Sequence, residues 1–204
     1  IINIVRKRPT AGLKADFSAS YGSFNTRRIR AGAGGAINDK LRYRVDFGMS
    51  DTDGYRKSGS NTNNGYLALE YTPTEKDLFY LTVGANKDIY DTETGIPMLA
   101  GSKLAPGLNM NTRYNDPQDF LKHTRYDFQL KYVRQINSRL RLSNQLSYYD
   151  DNIDYFSTEE LSFNPALDSI TRSFPYYFNH LTKPLQNQLE LTYDFNTGRV
   201  QHKL

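Results

Sequence analysis

The feature that most constrains this chain is a period-two alternation of apolar and polar residues, repeated in segments of about ten residues and punctuated by turn-formers. Leu13, Ala15, Phe17, Ala19 and Tyr21 alternate with Lys14, Asp16, Ser18 and Ser20. Ile29, Ala31, Ala33 and Ile37 alternate with Arg28, Arg30 and glycines, and after Asn38-Asp39-Lys40 the pattern resumes as Leu41, Tyr43, Val45, Phe47 and Met49 against Arg42, Arg44 and Asp46. It recurs through Leu67–Tyr71, Phe79–Ala85, Tyr126–Tyr132, Leu140–Tyr148 and Leu189–Phe195. Successive side chains on a strand point to opposite faces, so each segment reads as a strand with one apolar and one polar face. Eight strands are expected, with Val200 to Leu204 opening a ninth.

A soluble antiparallel sandwich also alternates in this way. The connections separate the two readings, because they fall into two classes that themselves alternate. Asn38-Asp39-Lys40, Thr72 to Asp77, Asn137-Ser138 and Asn196 to Gly198 are tight turns, whereas 51–64, 87–123 and 150–184 are long loops, with the shorter Gly22 to Thr26 beginning that set. Short turns on one rim and long loops on the other belong to outer-membrane β-barrels. The mean hydropathy of -0.69 agrees, since only alternate residues of such a strand meet lipid, and no stretch approaches the roughly 20 apolar residues of a spanning helix.

Rings are expected at the ends of the strands, where an aromatic body is buried and its polar tip stays wet. Tyr21, Tyr66, Tyr126 and Tyr148 fall toward the long loops, and Tyr71, Phe79, Tyr132 and Phe195 toward the short turns. Asn144 and Asn187 interrupt the lipid-facing series; they are expected either to hydrogen-bond across a strand pair or meet another element, or to mark a bulge that shifts the register. The net charge of +4 is spread along the chain rather than gathered in a basic block, which argues against nucleic acid as a partner. With no cysteine, disulfides, thiolate metal sites and cysteine nucleophiles are all absent.

The opening Ile1-Ile2-Asn3-Ile4-Val5-Arg6-Lys7-Arg8-Pro9 resembles the segment that closes the plug domain of TonB-dependent outer-membrane receptors, with Arg6 where those proteins usually carry Thr. Thr94-Gly95-Ile96-Pro97 with Gly101, in the 87–123 loop, resembles an element of their siderophore-receptor branch. The resemblance implies an all-β fold: part of an antiparallel transmembrane barrel of about 22 strands, residues 1–9 being the end of the plug and 10–204 the N-terminal portion of the barrel. It implies a bacterial outer-membrane location and uptake of a ferric siderophore or similar scarce ligand, driven by the TonB complex through a region upstream of this sequence. Outer-membrane lipid is the other implied partner, and no cofactor is called for. Such a piece, stopping in mid-hairpin, would leave unpaired strand edges and is not expected to form a native pore by itself. The alternatives are a passive porin or adhesin barrel, or a receptor for heme, cobalamin or glycans.

No enzyme is expected. His123, His180 and His202, read as two loop residues and one near the terminal strand, fall into no Ser-His constellation, and no Gly-x-Ser-x-Gly element occurs. Asp88, Asp91 and Glu93, and Asp150, Asp151 and Asp154, offer oxygen ligands but match no calcium-loop spacing. The candidate ligand contacts are loop residues that supply rings and a positive charge for an anionic or aromatic iron chelate: Tyr90, Met98, Arg113, Tyr114 and Phe120. Arg28, Arg30, Arg42, Arg44 and Asp46 are expected to pair with one another or with the plug in a polar lumen.

Overall fold

The computed structural model describes residues 6–99, 103–164, 166 and 168–204. Ile1 to Val5 of the opening motif and Gly101 of the second lie outside the described residues. The strands are β1 (Lys14–Gly22), β2 (Thr26–Ala36), β3 (Leu41–Thr52), β4 (Ser60–Thr74), β5 (Asp77–Tyr90), β6 (Phe120–Gln135), β7 (Leu140–Phe163), β8 (Ile170–Thr182), β9 (Leu185–Thr197) and β10 (Val200–Lys203). They form one open antiparallel sheet in which neighbours in sequence pair in order through β7; β7 then pairs with both β8 and β9, and β9 with β10.

The double pairing of β7 has a simple cause. Asp151 opposes Thr182 and Tyr148 opposes Leu185, so β8 and β9 run along β7 in one unbroken register. Only Lys183-Pro184 separates them. Proline has no N–H to give the ladder, yet its carbonyl still accepts from the Tyr149 N–H at 3.2 Å. Together β8 and β9 are one wall strand, and the wall has the eight strands and the beginning of a ninth that the alternation implies.

The long loops are shorter than the sequence suggests. The strands run on until the irregular connections are reduced to 53–59, 91–119 and 164–169, and most of the 150–184 stretch is the hairpin of β7 and β8. His123 and His180 accordingly lie on β6 and β8 rather than in loops. Where both faces of a strand meet water, the ladder persists without any need for apolar alternation, so the signal fades before the strand does. Two of the four tight turns share one device: the Asn38 carboxamide oxygen accepts from the N–H groups of Lys40 and Leu41, both at 2.9 Å, and Asn137 does the same for Arg139 and Leu140 at 2.9 and 3.0 Å.

The sheet is inside-out by the standard of a soluble protein. Arg44, Thr82, Asp127, Ser143, Ser147 and Thr192 are buried, all on the concave face, while Leu189 is 68% exposed on the other. On that outer face the register sets Phe79, Leu81, Val83 and Ala85 beside Tyr132, Leu130, Phe128 and Tyr126. This apolar run is about 20 Å long along the strand, close to the ~25 Å lipid-facing band of a transmembrane barrel. Its lower edge is a row of rings, Tyr71, Phe79 and Tyr132, with Phe79 and Tyr132 stacked at 4.7 Å. Its upper edge is polar, at Asn63, Lys87, Thr124 and the Asp150–Lys183 pair. Tyr66 does not join the outer rings; its parity is that of Glu70, which places it on the concave face.

Candidate functional site: the concave face and its mouth

Of the charges predicted to line a lumen, Arg42, Arg44 and Asp46 form ion pairs there. Arg44 lies between two carboxylates, donating to Asp16 at 2.6 Å and through Nε to Asp46 at 2.7 Å. The neighbouring strand makes room for it: a Cβ at Gly32 would collide with the Arg44 guanidinium and the Asp46 carboxylate. Arg42 pairs with Glu70 at 3.2 Å. Arg30 lines the adjoining concavity, and among the described residues neither Arg28 nor Arg30 has an ion pair.

The segment before β1 lies along this face. Arg6 donates to Asp127 at 3.1 Å and sits over the Tyr66 ring at 4.8 Å, Lys7 reaches Asp16 at 2.7 Å, and Arg8 stands 5.6 Å from the centre of the Tyr80 ring. Arg6, at the position where the resemblance calls for Thr, therefore supplies the contact to the most buried carboxylate of the wall. Gly84, directly opposite Asp127, has no side chain to displace that carboxylate. A concavity of about 740 Å³ opens beside the segment, lined among others by Arg6, Lys7, Arg30, Asn64 and Tyr90.

Above it, His123 bridges three strands. Its Nδ1 is 3.3 Å from Asp88 on β5 and its Nε2 2.8 Å from Asp151 on β7, while Arg125 approaches Asp151 at 3.5 Å. Along the β7–β8 hairpin, Tyr155 stacks on Phe178 at 4.8 Å, and Phe178 meets Tyr176 at 5.7 Å and His180 at 4.5 Å. This aromatic ladder was hidden in the stretch read as loop. A signal was present, since Phe174, Tyr176, Phe178 and His180 follow one another at every second position, but Pro175 and Tyr177 between them obscure it.

The predicted contact residues are dispersed. Tyr90 is on the concave face and lines the cavity. Phe120 is on the outer face, 6.4 Å from Phe156 and beneath the Lys122 ammonium. Arg113 directs its guanidinium at three carbonyls, those of Thr92, Asp116 and Asp119, at 2.7, 3.0 and 2.8 Å. The Tyr114 hydroxyl donates to the Asn109 carbonyl at 2.9 Å, and Met98 is exposed on the same loop.

That loop is anchored by a polar node which the sequence did not disclose. Asp119, 1% exposed, accepts from the Thr158 N–H at 2.7 Å and from the Asn115 amide at 3.0 Å. Asn115 in turn accepts from the Thr94 N–H at 2.8 Å, so Thr94 of the Thr-Gly-Ile-Pro element is an anchor and Pro97 is buried beside it. The two acidic clusters are taken apart by the fold. Asp88 faces His123, Asp91 accepts from the Gly59 N–H and Glu93 pairs with Arg56; Asp150 points outward to Lys183 while Asp151 points inward.

No protein-family model matches the chain, and no curated protein matches it in sequence. Solved structures do match in fold. The ferric-catecholate import receptor Fiu of E. coli K12, in its open form, superposes with a TM-score of 0.80 at 22% identity over 97% of this chain and 33% of the receptor. The siderophore receptor PiuA of Acinetobacter baumannii gives 0.81 at 16% identity, over 96% of this chain and 29% of that one. The ferripyoverdine receptor of the Pseudomonas aeruginosa outer membrane, bound to ferripyoverdine, gives 0.78 at 12% identity over 97% and 27%. The chain spans a third or less of the length of each. Its fold is that of part of the β-barrel wall of TonB-dependent siderophore receptors.

Proposed function

We propose that this protein is an outer-membrane receptor that takes up a ferric siderophore or a similar scarce ligand, with residues 1–9 closing a plug domain and 10–204 forming the N-terminal portion of the barrel. The observation that supports this most is the likeness of nearly the whole chain to three receptors that are named for ferric or siderophore cargo. The contacts of Arg6 and Lys7 with the concave wall support the plug assignment.

In this reading the ligand is captured at the mouth. Tyr90 and the rings of Tyr155, Tyr176 and Phe178 offer flat faces to an aromatic chelate. Met98 and Tyr114 are presented by a loop that Arg113 and Asp119 hold in shape, and Phe120 stands outside the mouth. Ligand then passes inward when the plug rearranges under force from the TonB complex, and the wall itself needs no cofactor.

The test is saturable binding and uptake of iron-labelled catecholate and hydroxamate chelates by the full-length protein in cells with and without TonB. TonB-dependent uptake of one chelate class, weakened roughly 2- to 10-fold by Phe178→Ala, is the expected result. Passage of small solutes without saturation or TonB dependence would establish a passive porin instead.

A further inference from the structure

Below the His123 bridge, the concave face carries more positive charge than its carboxylates match. A second cavity, of about 370 Å³, lies between the segment before β1 and the wall. It is lined by three guanidinium groups, those of Arg6, Arg8 and Arg125, and by one carboxylate, that of Asp127. That carboxylate is already engaged, since Arg6 holds both of its oxygens, at 3.1 and 3.5 Å. Arg125 reaches Asp151 with one nitrogen, at 3.5 Å, and lies over the Tyr149 ring at 4.5 Å. Arg8 has the Tyr80 ring for a neighbour and, among the described residues, no ion pair.

A neutral donor joins these cations. The Tyr66 and Tyr80 hydroxyls share one hydrogen bond at 3.3 Å, in which only one of their two protons can lie. The other O–H is free to turn into the cavity that both residues line. Guanidinium groups gathered in a partly buried space repel one another unless an anion lies among them, and their planar forks match the oxygens of a phosphate. Three guanidiniums less one carboxylate leave two positive charges in the lining, the match of a dianion; a carboxylate ligand would leave one of them unanswered. We infer that this cavity binds a phosphate group, held by Arg8 from the segment and Arg125 from β6, with the spare tyrosine O–H donating to it.

The bound group ties two parts of the molecule together. Arg8 belongs to the segment and Arg125 to the wall, so a phosphate between them is a second attachment beside the ion pair of Arg6 with Asp127. The cavity is roomier than the bare ion, which leaves space for its waters or for the rest of a small phosphorylated molecule. Phosphate in the medium thereby becomes a factor in how firmly the segment is held.

The experiment offers inorganic phosphate and glycerol 3-phosphate, at matched ionic strength, to the full-length protein in detergent. Binding is measured by equilibrium dialysis of the radiolabelled compounds, and tryptic cleavage after Arg6 and Lys7 is followed by mass spectrometry. Saturable binding is expected, weakened about tenfold by R8Q or R125Q and less by Y66F/Y80F, with slower cleavage while the compound is bound. R8K keeps the charge and loses the fork, so it should fall between wild type and R8Q. Tighter binding of inorganic phosphate identifies the free ion as the ligand, tighter binding of glycerol 3-phosphate a phosphorylated molecule, and both support the site. R8Q lies outside the strands, so the wall folds in that variant, as circular dichroism will show. No saturable binding, binding unchanged in both R8Q and R125Q, or cleavage indifferent to phosphate would each overturn the inference, and none of these would touch what the mouth captures.

Discussion

Asn144 and Asn187 satisfy each other on the outer, apolar side of the wall: the Asn144 amide donates to the Asn187 carboxamide oxygen at 3.0 Å, and Asn187 returns a bond at 3.3 Å. They are diagonal neighbours, since Asn144 opposes Leu189 and Asn187 opposes Leu146, and the register between the strands is unbroken. The cross-strand bond is therefore the outcome, not a bulge. Replacing one partner strands the other on an apolar face, so Asn144→Leu or Asn187→Leu alone should destabilise the protein by about 1–3 kcal/mol, while the double leucine variant should return close to wild type. Urea unfolding from lipid vesicles measures both; additive losses would contradict the pairing.

Asp127 is where the segment before β1 is attached. Asp127→Asn keeps its size but removes the charge that holds Arg6, and Gly84→Ala drives a methyl group into the carboxylate. Both changes should speed tryptic cleavage after Arg6 and Lys7 severalfold, with the wall strands still protected. Cleavage at the wild-type rate would show that the ion pair does not retain the segment.

Lys183, in the interruption between β8 and β9, has its ionisation raised by the hydrogen bond to Asp150 and by that residue's charge. A raised amine contributes its pairing fully at neutral pH and loses it as pH rises through the raised value. Asp150→Asn should return Lys183 to an ordinary lysine, so that at pH 9 more of it is free amine and it reacts faster with an acylating reagent. Unchanged labelling in a residue-resolved assay would exclude the pair as the cause.

Asp119 ties the 91–119 loop to β7. Asp119→Ala leaves the Thr158 N–H without its acceptor, removes one of the acceptors of the Asn115 amide, and should cost about 1–3 kcal/mol locally. Hydrogen exchange at Thr158 and proteolysis at Lys103 should rise sharply, chelate binding should fall, and the unfolding of the barrel strands should stay within error of wild type.

The parts of the fold that are legible in sequence are those where one face of the sheet is kept apolar and the other polar. Phe79 to Ala85 and Tyr126 to Tyr132 alternate because one face must be apolar. Above the band that constraint ends, and the sequence of β8 carries no clear strand signal although it continues β9 residue for residue. The nearness of Tyr66 to the strand end suggests an outer ring, but parity alone decides its face. Within the site, the polarity of the lumen was readable, but its partners were not: Asp119 with Thr158, and His123 with Asp88 and Asp151, are separated in sequence by distances that only the strand register brings together.

The shared register of β8 and β9 also makes the upper hairpin a part of adjustable height. Residues removed in twos from both arms, opposite one another, leave every remaining side chain on its own face and the strands below untouched. A single deletion in one arm would instead turn that arm inside out and set Tyr176 and Phe178 against the exterior. Variation at the rim thus has an allowed step size, written into the pleat, by which the mouth can be remodelled while the wall below stays the same.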